Sequence, residues 1–203
     1  MQTLISVPLF SIPVCISNEV YNMSSVELNF IKNLKVSDYN KSNTVTENQY
    51  ILELPELNNL KKWIQEYINT YFFEFLKIKD IDEIYITQSW SNITKKGKNH
   101  HRHSHPNSIV SGVMHFEDDD SSLNFYSNNK HFPFEFNYKE YNPFNSQSWG
   151  WPTKKYNLFL FPSTINHDVD TQKINRDRIS LSFNTWIKGT VGDKSISSLL
   201  KIR

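Results

Sequence analysis

The spacing of apolar residues changes near residue 80. Before it the clearest period is helical. Leu60, Trp63, Ile64, Tyr67, Ile68, Tyr71, Phe72 and Phe75 recur at i, i+3, i+4 and i+7, while Lys61, Lys62, Glu66 and Asn69 fall on the other side. This predicts an amphipathic helix over 55–78, with Pro55 in its first turn and its aromatic stripe packed on the outside of a sheet. Residues 20–34 predict a shorter helix, with Ser24-Ser25 as a cap before Val26, Phe30, Ile31 and Leu34. Residues 4–16 are apolar and β-branched, but Pro8 and Pro13 restrict them to an edge strand. The polar stretch 35–49 reads as loop.

After residue 83 the pattern alternates. Strands are predicted at 84–92, 108–116, 123–126, 156–161 and 178–187. The last is the most regular: Arg178, Ser180, Ser182 and Asn184 alternate with Ile179, Leu181, Phe183 and Thr185. Such a polar face either meets water or, inside a barrel, lines a pocket. Between 130 and 152 the chain is aromatic and broken by Pro133, Pro143, Gly150 and Pro152. That segment fits a lid or substrate loop and fits an outer packing layer equally well. The expected fold class is mainly β with flanking helices, a small barrel or sandwich. The expected organisation is one domain: supporting elements over 1–83, a barrel core over 84–189, and a tail over 190–203, helical at 195–202.

The 203 residues are enough for a sizeable core. A formal charge of +1 gives no general pull towards nucleic acid or anionic lipid. The one cysteine, Cys15, excludes an internal disulfide framework and suits a reducing compartment. No apolar run approaches the roughly 20 residues of a membrane span, and the N-terminus lacks a secretory pattern. The expectation is a cytoplasmic protein without a membrane partner. Nothing in the sequence sets an oligomeric state.

Five of the seven histidines lie in 100–115, and His101, His103 and His105 alternate. In an extended strand these three imidazoles share one face. Imidazole is the commonest neutral metal ligand and suits zinc, iron, copper or nickel better than magnesium or calcium. A solvated, His-rich surface strand has the same pattern. His167 follows about 60 residues later, behind the turn Phe161-Pro162-Ser163, just before the last strand. That is the layout of a site assembled across a double-stranded β-helix.

At this point the sequence resembles the iron(II)- and 2-oxoglutarate-dependent oxygenases, and within them a bacterial and phage group of unassigned substrate. The resemblance covers most of the chain. It rests on Leu9-Phe10-Ser11-Ile12-Pro13-Val14, on Gln88-Ser89-Trp90-Ser91-Asn92 and Gly97, and on His103-Ser104-His105-Pro106-Asn107-Ser108 with Ser111-Gly112-Val113. Its distal part is Phe161-Pro162-Ser163 with His167, then Arg178-Ile179-Ser180-Leu181-Ser182-Phe183-Asn184. It implies a jelly-roll, cupin-like barrel and an Fe(II) centre held by His103, His105 and His167. It also implies 2-oxoglutarate as co-substrate, with its distal carboxylate gripped by Arg178 and a hydroxyl added by Ser180. Arg176, of the same parity, is the rival to Arg178. Oxygen is then consumed, succinate and CO2 are released, and a C–H bond of an unidentified substrate is oxidised, usually by hydroxylation.

One departure stands out. The wider family commonly carries Asp or Glu two residues after its first histidine; here that position is His105, or Asn107 if His105 is the first ligand. His101 with His103 is an alternative pair. Gln88, Trp90 and Asn92 share a face and are candidate pocket lining near the co-substrate, as are Ser182 and Asn184; Asn92 is the one carried as a co-substrate contact. His115 and His131 are expected to be structural or surface residues. Two other functions stay open: a three-histidine cupin-like dioxygenase that uses no 2-oxoglutarate, and a non-catalytic barrel acting as a binding module.

Overall fold

The computed structural model describes residues 5–37, 43–118, 121–128 and 133–203. In chain order the elements are β1 (Cys15–Ile16), α1 (Ser25–Lys32), β2 (Val36–Ser37), β3 (Thr44–Thr46), α2 (Asn58–Asn69), β4 (Ile81–Thr94), β5 (His100–His103) and β6 (Val110–His115). They continue with β7 (Ser122–Tyr126), β8 (Ser148–Pro152), β9 (Leu158–Pro162), β10 (Asn166–Val169), β11 (Arg178–Val191) and β12 (Leu200–Ile202). The larger sheet runs β1-β9-β6-β11-β4-β3-β2, with β12 also on β11; the smaller runs β5-β10-β7-β8. From β4 to β7 and again from β8 to β11 successive strands alternate between the sheets, which gives the double-stranded β-helix. The fold is mainly β with few helices, as expected.

The larger sheet has apolar packing on both faces. On β11, Ile179, Leu181 and Phe183 join Met114, Leu158 and Leu160 against the helical side, where Leu60, Ile64 and Ile68 of α2 are fully buried. The opposite face of the same strand presents Arg178, Ser180, Ser182 and Asn184, in register with Thr94, Asn92, Trp90 and Gln88 of β4. Towards β9 that inner face becomes apolar: Val113, Phe159 and Phe161 pack with Leu123, Phe125 and Val169 of the smaller sheet. The site face is therefore polar at one side and greasy at the other.

Strand β4 holds both faces by a bulge. Asn184 pairs with Gln88 but Thr185 pairs with Ile86, so Thr87 is the extra residue. Strict alternation would put Ile84 and Ile86 beside Gln88 and Trp90. The extra residue turns them into the helix-side core instead. Thr87 Oγ1 donates to the Asn184 carbonyl at 3.2 Å and fastens the bulge.

Several expectations need correction. The long helix is composite: a 3-10 turn at Pro55–Leu57, α2, then a π-helical turn at Thr70–Phe75. The wider turn changes the phase, so Tyr71 and Phe72 stay buried while Phe75 is 58% exposed. The N-terminal strand is only β1. The stretch expected as loop contains β2 and β3, the aromatic segment contains β8, and the tail ends as a strand, β12, after one 3-10 turn. These strands are two to five residues long, too short for periodicity to register. The shorter helix matches its reading, and Ser24 caps it in a reciprocal box with Glu27.

Candidate metal centre

The three histidines arrive from two directions. β5 ends at His103, and the chain then turns through Asn107, whose φ is +56°. His105 therefore does not extend a flat row with His101 and His103. It swings inward, held by its backbone N–H on the Ser163 carbonyl at 2.9 Å. His167 lies on β10 directly across from His103. The ligating atoms of His103, His105 and His167 all lie within 4.8 Å of one another, the arrangement in which three residues can hold an ion. His101 and Asn107 are exposed and stand outside this group.

Each ring turns its Nδ1 away from the shared centre to a hydrogen-bond partner. His103 Nδ1 meets the His101 carbonyl at 2.8 Å, and His167 Nδ1 meets the Ile165 carbonyl at 3.1 Å. His105 Nδ1 lies 2.7 Å from Asn184 Oδ1 and 2.8 Å from Ser111 Oγ. A carbonyl accepts only, so Nδ1 carries the proton and Nε2 keeps its lone pair. The Nε2 atoms of His103 and His105 are then 3.0 Å apart, lone pair towards lone pair. That contact is repulsive unless a cation sits between them. Two nitrogens bound to one ion at about 2.1 Å each lie at most about 4.2 Å apart, so 3.0 Å is within reach.

Electrostatics agree. Burial first, then the neighbouring His103, pushes His105 down to about 4 against the raising effect of Asn184. Burial and His103 push His167 down to about 3. His103 is also lowered, chiefly by burial. All three are neutral at pH 7, the form a metal takes. His100 stacks on His103 with ring centroids 4.7 Å apart, and Trp90 stands 5.6 Å from His105.

Arg178 is 3% exposed, and its Nη1 donates to Ser121 Oγ at 2.6 Å and to the Asp170 carbonyl at 2.9 Å. Arg176 lies at the surface instead, against the Asp118 carbonyl and 3.9 Å from Glu117. Ser180 shares the Arg178 face. Asn92 is buried, donates to Ser182 Oγ at 3.1 Å and accepts from Asn43 Nδ2 at 3.0 Å. His115 is buried in register with Ser180 rather than at the surface, with its ring 6.4 Å from Phe159. His131 lies outside the described residues.

Sequence reasoning gave Asn184 only as pocket lining. Its bond to His105, and the run of hydroxyls Ser111, Ser163 and Ser108 behind it at 2.7 Å steps, were missed. The parity of Ser111 opposite Asn184 was the available signal. The aromatic segment also resolves. His103, His167, Phe125 and Trp149 are successive cross-strand partners, so one row leads from the histidines to β8. Beside β8 lies a cavity of about 630 Å³ lined by Phe134, Phe136, Tyr138, Tyr141 and Trp149. Phe134, Phe136, Tyr141, Trp149 and Trp151 are exposed, which speaks against an outer packing layer. No helix among the described residues is long and apolar enough to cross a membrane.

Residues 88–184 match the family described as "Putative 2OG-Fe(II) oxygenase". No curated protein matches the chain. Among solved structures, a prolyl-4-hydroxylase from Pseudomonas putida is similar at TM-score 0.57 and 11% identity, over 89% of this chain and 96% of that one. A 2OG-Fe(II) oxygenase family oxidoreductase from Burkholderia pseudomallei is similar at TM-score 0.56 and 14% identity, over 85% and 83%. HygX from Streptomyces hygroscopicus, solved with nickel, 2-oxoglutarate and hygromycin B, is similar at TM-score 0.56 and 9% identity, over 86% and 82%. At these identities the likeness to solved structures is one of fold.

Proposed function

We propose that the chain, whose residues 88–184 match the 2OG-Fe(II) oxygenase family, is an iron(II)/2-oxoglutarate-dependent dioxygenase that oxidises a C–H bond of an unidentified substrate, by hydroxylation. The observation that carries this reading is the convergence of three Nε2 lone pairs, each fixed by an Nδ1 partner on the far side of its ring. In it His103, His105 and His167 hold iron(II). With 2-oxoglutarate and oxygen, the bound metal supplies an oxidant for unactivated C–H bonds, and succinate and CO2 are released.

The remaining work belongs to this chain's side chains. The buried Arg178 guanidinium pairs with the distal carboxylate of 2-oxoglutarate, a planar donor set against a planar acceptor. Ser180, one step along the same face, adds a hydroxyl, and Asn92 holds the polar wall beside it through Ser182. Phe125, Phe159 and Phe161 keep water from the opposite side. The substrate approaches along the row from Trp149, where the aromatic cavity opens.

The ligand set favours one second reading: three neutral histidines and no carboxylate also suit a three-histidine dioxygenase without 2-oxoglutarate. Anaerobic titration of the iron(II)-loaded protein with 2-oxoglutarate separates the two. A weak visible charge-transfer band, needing far more 2-oxoglutarate in Arg178→Ala, together with succinate release in air, supports the first. Stoichiometric iron with no band supports the second, and absence of metal binding refutes both.

A further inference from the structure

His103 and His167 turn Nδ1 to main-chain carbonyls, which cannot exchange donor for acceptor. The third ring is held differently. Its Nδ1 faces Asn184 Oδ1 at 2.7 Å and Ser111 Oγ at 2.8 Å. A hydroxyl serves as donor or acceptor and so cannot decide a tautomer. Ser111 also directs its own proton towards Asn184 Oδ1 at 2.8 Å or Ser163 Oγ at 2.7 Å. With its proton so used Ser111 accepts from Nδ1 as well, and the neighbour that could still turn from acceptor to donor is the carboxamide.

That carboxamide has two orientations. As found, Oδ1 faces His105 and Nδ2 donates to Gln88 Oε1 at 3.2 Å. Turned over, Nδ2 would face the ring, make Nδ1 an acceptor and put the proton on Nε2. The lone pair facing His103 would be lost. With its Oε1 towards Asn184, as found, Gln88 accepts from Nδ2 and favours the first. The bulge at Thr87 sets Gln88 directly opposite Asn184, and the Thr87 hydroxyl on the Asn184 carbonyl fixes the backbone there.

We propose that Asn184, oriented by Gln88, is the positioning residue that fixes His105 in its Nδ1–H form and so makes it a ligand where the wider family carries a carboxylate. This rests on the metal reading above for its purpose but not for its test. Histidine tautomers are read in the metal-free full-length protein by long-range proton–nitrogen correlation, in wild type, Asn184→Asp, Asn184→Leu and Gln88→Leu. Asp still accepts, so His105 stays Nδ1–H in that variant. Leu at 184 releases the ring to a mixture, and Leu at 88 does so without altering the ring's own neighbour. Zinc affinity, measured in parallel, falls roughly 10–100-fold in Asn184→Leu and is kept in Asn184→Asp, in the range seen when a ligand's outer hydrogen-bond partner is removed. An unchanged tautomer in both Leu variants overturns the proposal, as does an Asp variant that behaves like Leu. If the tautomers respond as stated but wild type binds no metal, the positioning role stands and the metal reading falls. Should Asn184→Leu not fold, Gln88→Leu against wild type decides.

Discussion

A histidine buried beside other imidazoles has a signature in acid. His105 and His167 sit at about 4 and about 3 in the fold, against about 6.5 for a free imidazole. Their folded values are depressed, so the unfolded chain binds more protons on acidification. The stability of the metal-free protein is therefore full above about pH 6.5 and falls as the pH drops towards 4 and then 3. Denaturant melts between pH 7.5 and 4.5 should show this fall, and it should shrink in His167→Ala. A flat profile would mean that these rings are not buried neutral. Loss of either ring should also abolish stoichiometric iron or zinc by elemental analysis. Arg178→Ala should weaken 2-oxoglutarate roughly 10–100-fold, the equivalent of about 1.5–3 kcal/mol for a hydrogen bond to a charged group. Arg178→Lys should recover only part, because an ammonium is a point charge rather than a fork.

Elements show where pattern reading works and where it stops. The alternation of β11 was legible because one face is mostly apolar: Ile179, Leu181 and Phe183 are all buried. The helix stripe was legible to Phe72 and failed at Phe75, since a π-helical turn leaves no mark in an apolar count. The histidines were found by type and spacing, but the inward swing of His105 depends on a turn at Asn107 and a main-chain bond to Ser163, 58 positions on. Neither is local. The same holds for Gly112, whose place in β6 reads as an ordinary weak strand position. A Cβ there would lie 2.3 Å from the Phe183 ring and 2.9 Å from the Phe159 carbonyl. The glycine leaves the space that the Phe183 ring occupies. Gly112→Ala should destabilise the protein by about 1–3 kcal/mol, as overpacked cores do, read as a lower denaturation midpoint with an unchanged m-value.

Across the molecule, the two faces of the larger sheet have separate duties. The helix side carries an apolar cluster that includes Ile31, Ile51, Leu57, Leu60 and Phe183, and the inner side carries the polar row and the histidines' supports. Polar substitutions among Ser180, Ser182 and Asn92 should therefore change ligand binding more than melting temperature, while Leu181→Ala should do the reverse and cost about 2–5 kcal/mol. That division was only half legible, because in β4 the even-numbered residues serve both faces. Thr87 is what divides them. A strand of this kind has a reading frame, and Thr87 is the one-residue shift between two messages: Ile84 and Ile86 are read on one side of it, Gln88, Trp90, Asn92 and Thr94 on the other. Thr87→Val loses the bond that fastens the bulge but keeps the extra residue, and should still fold. Deleting Thr87 brings the messages into one frame, so that either the isoleucines enter the site or the polar row enters the core, and no soluble folded protein should be recovered.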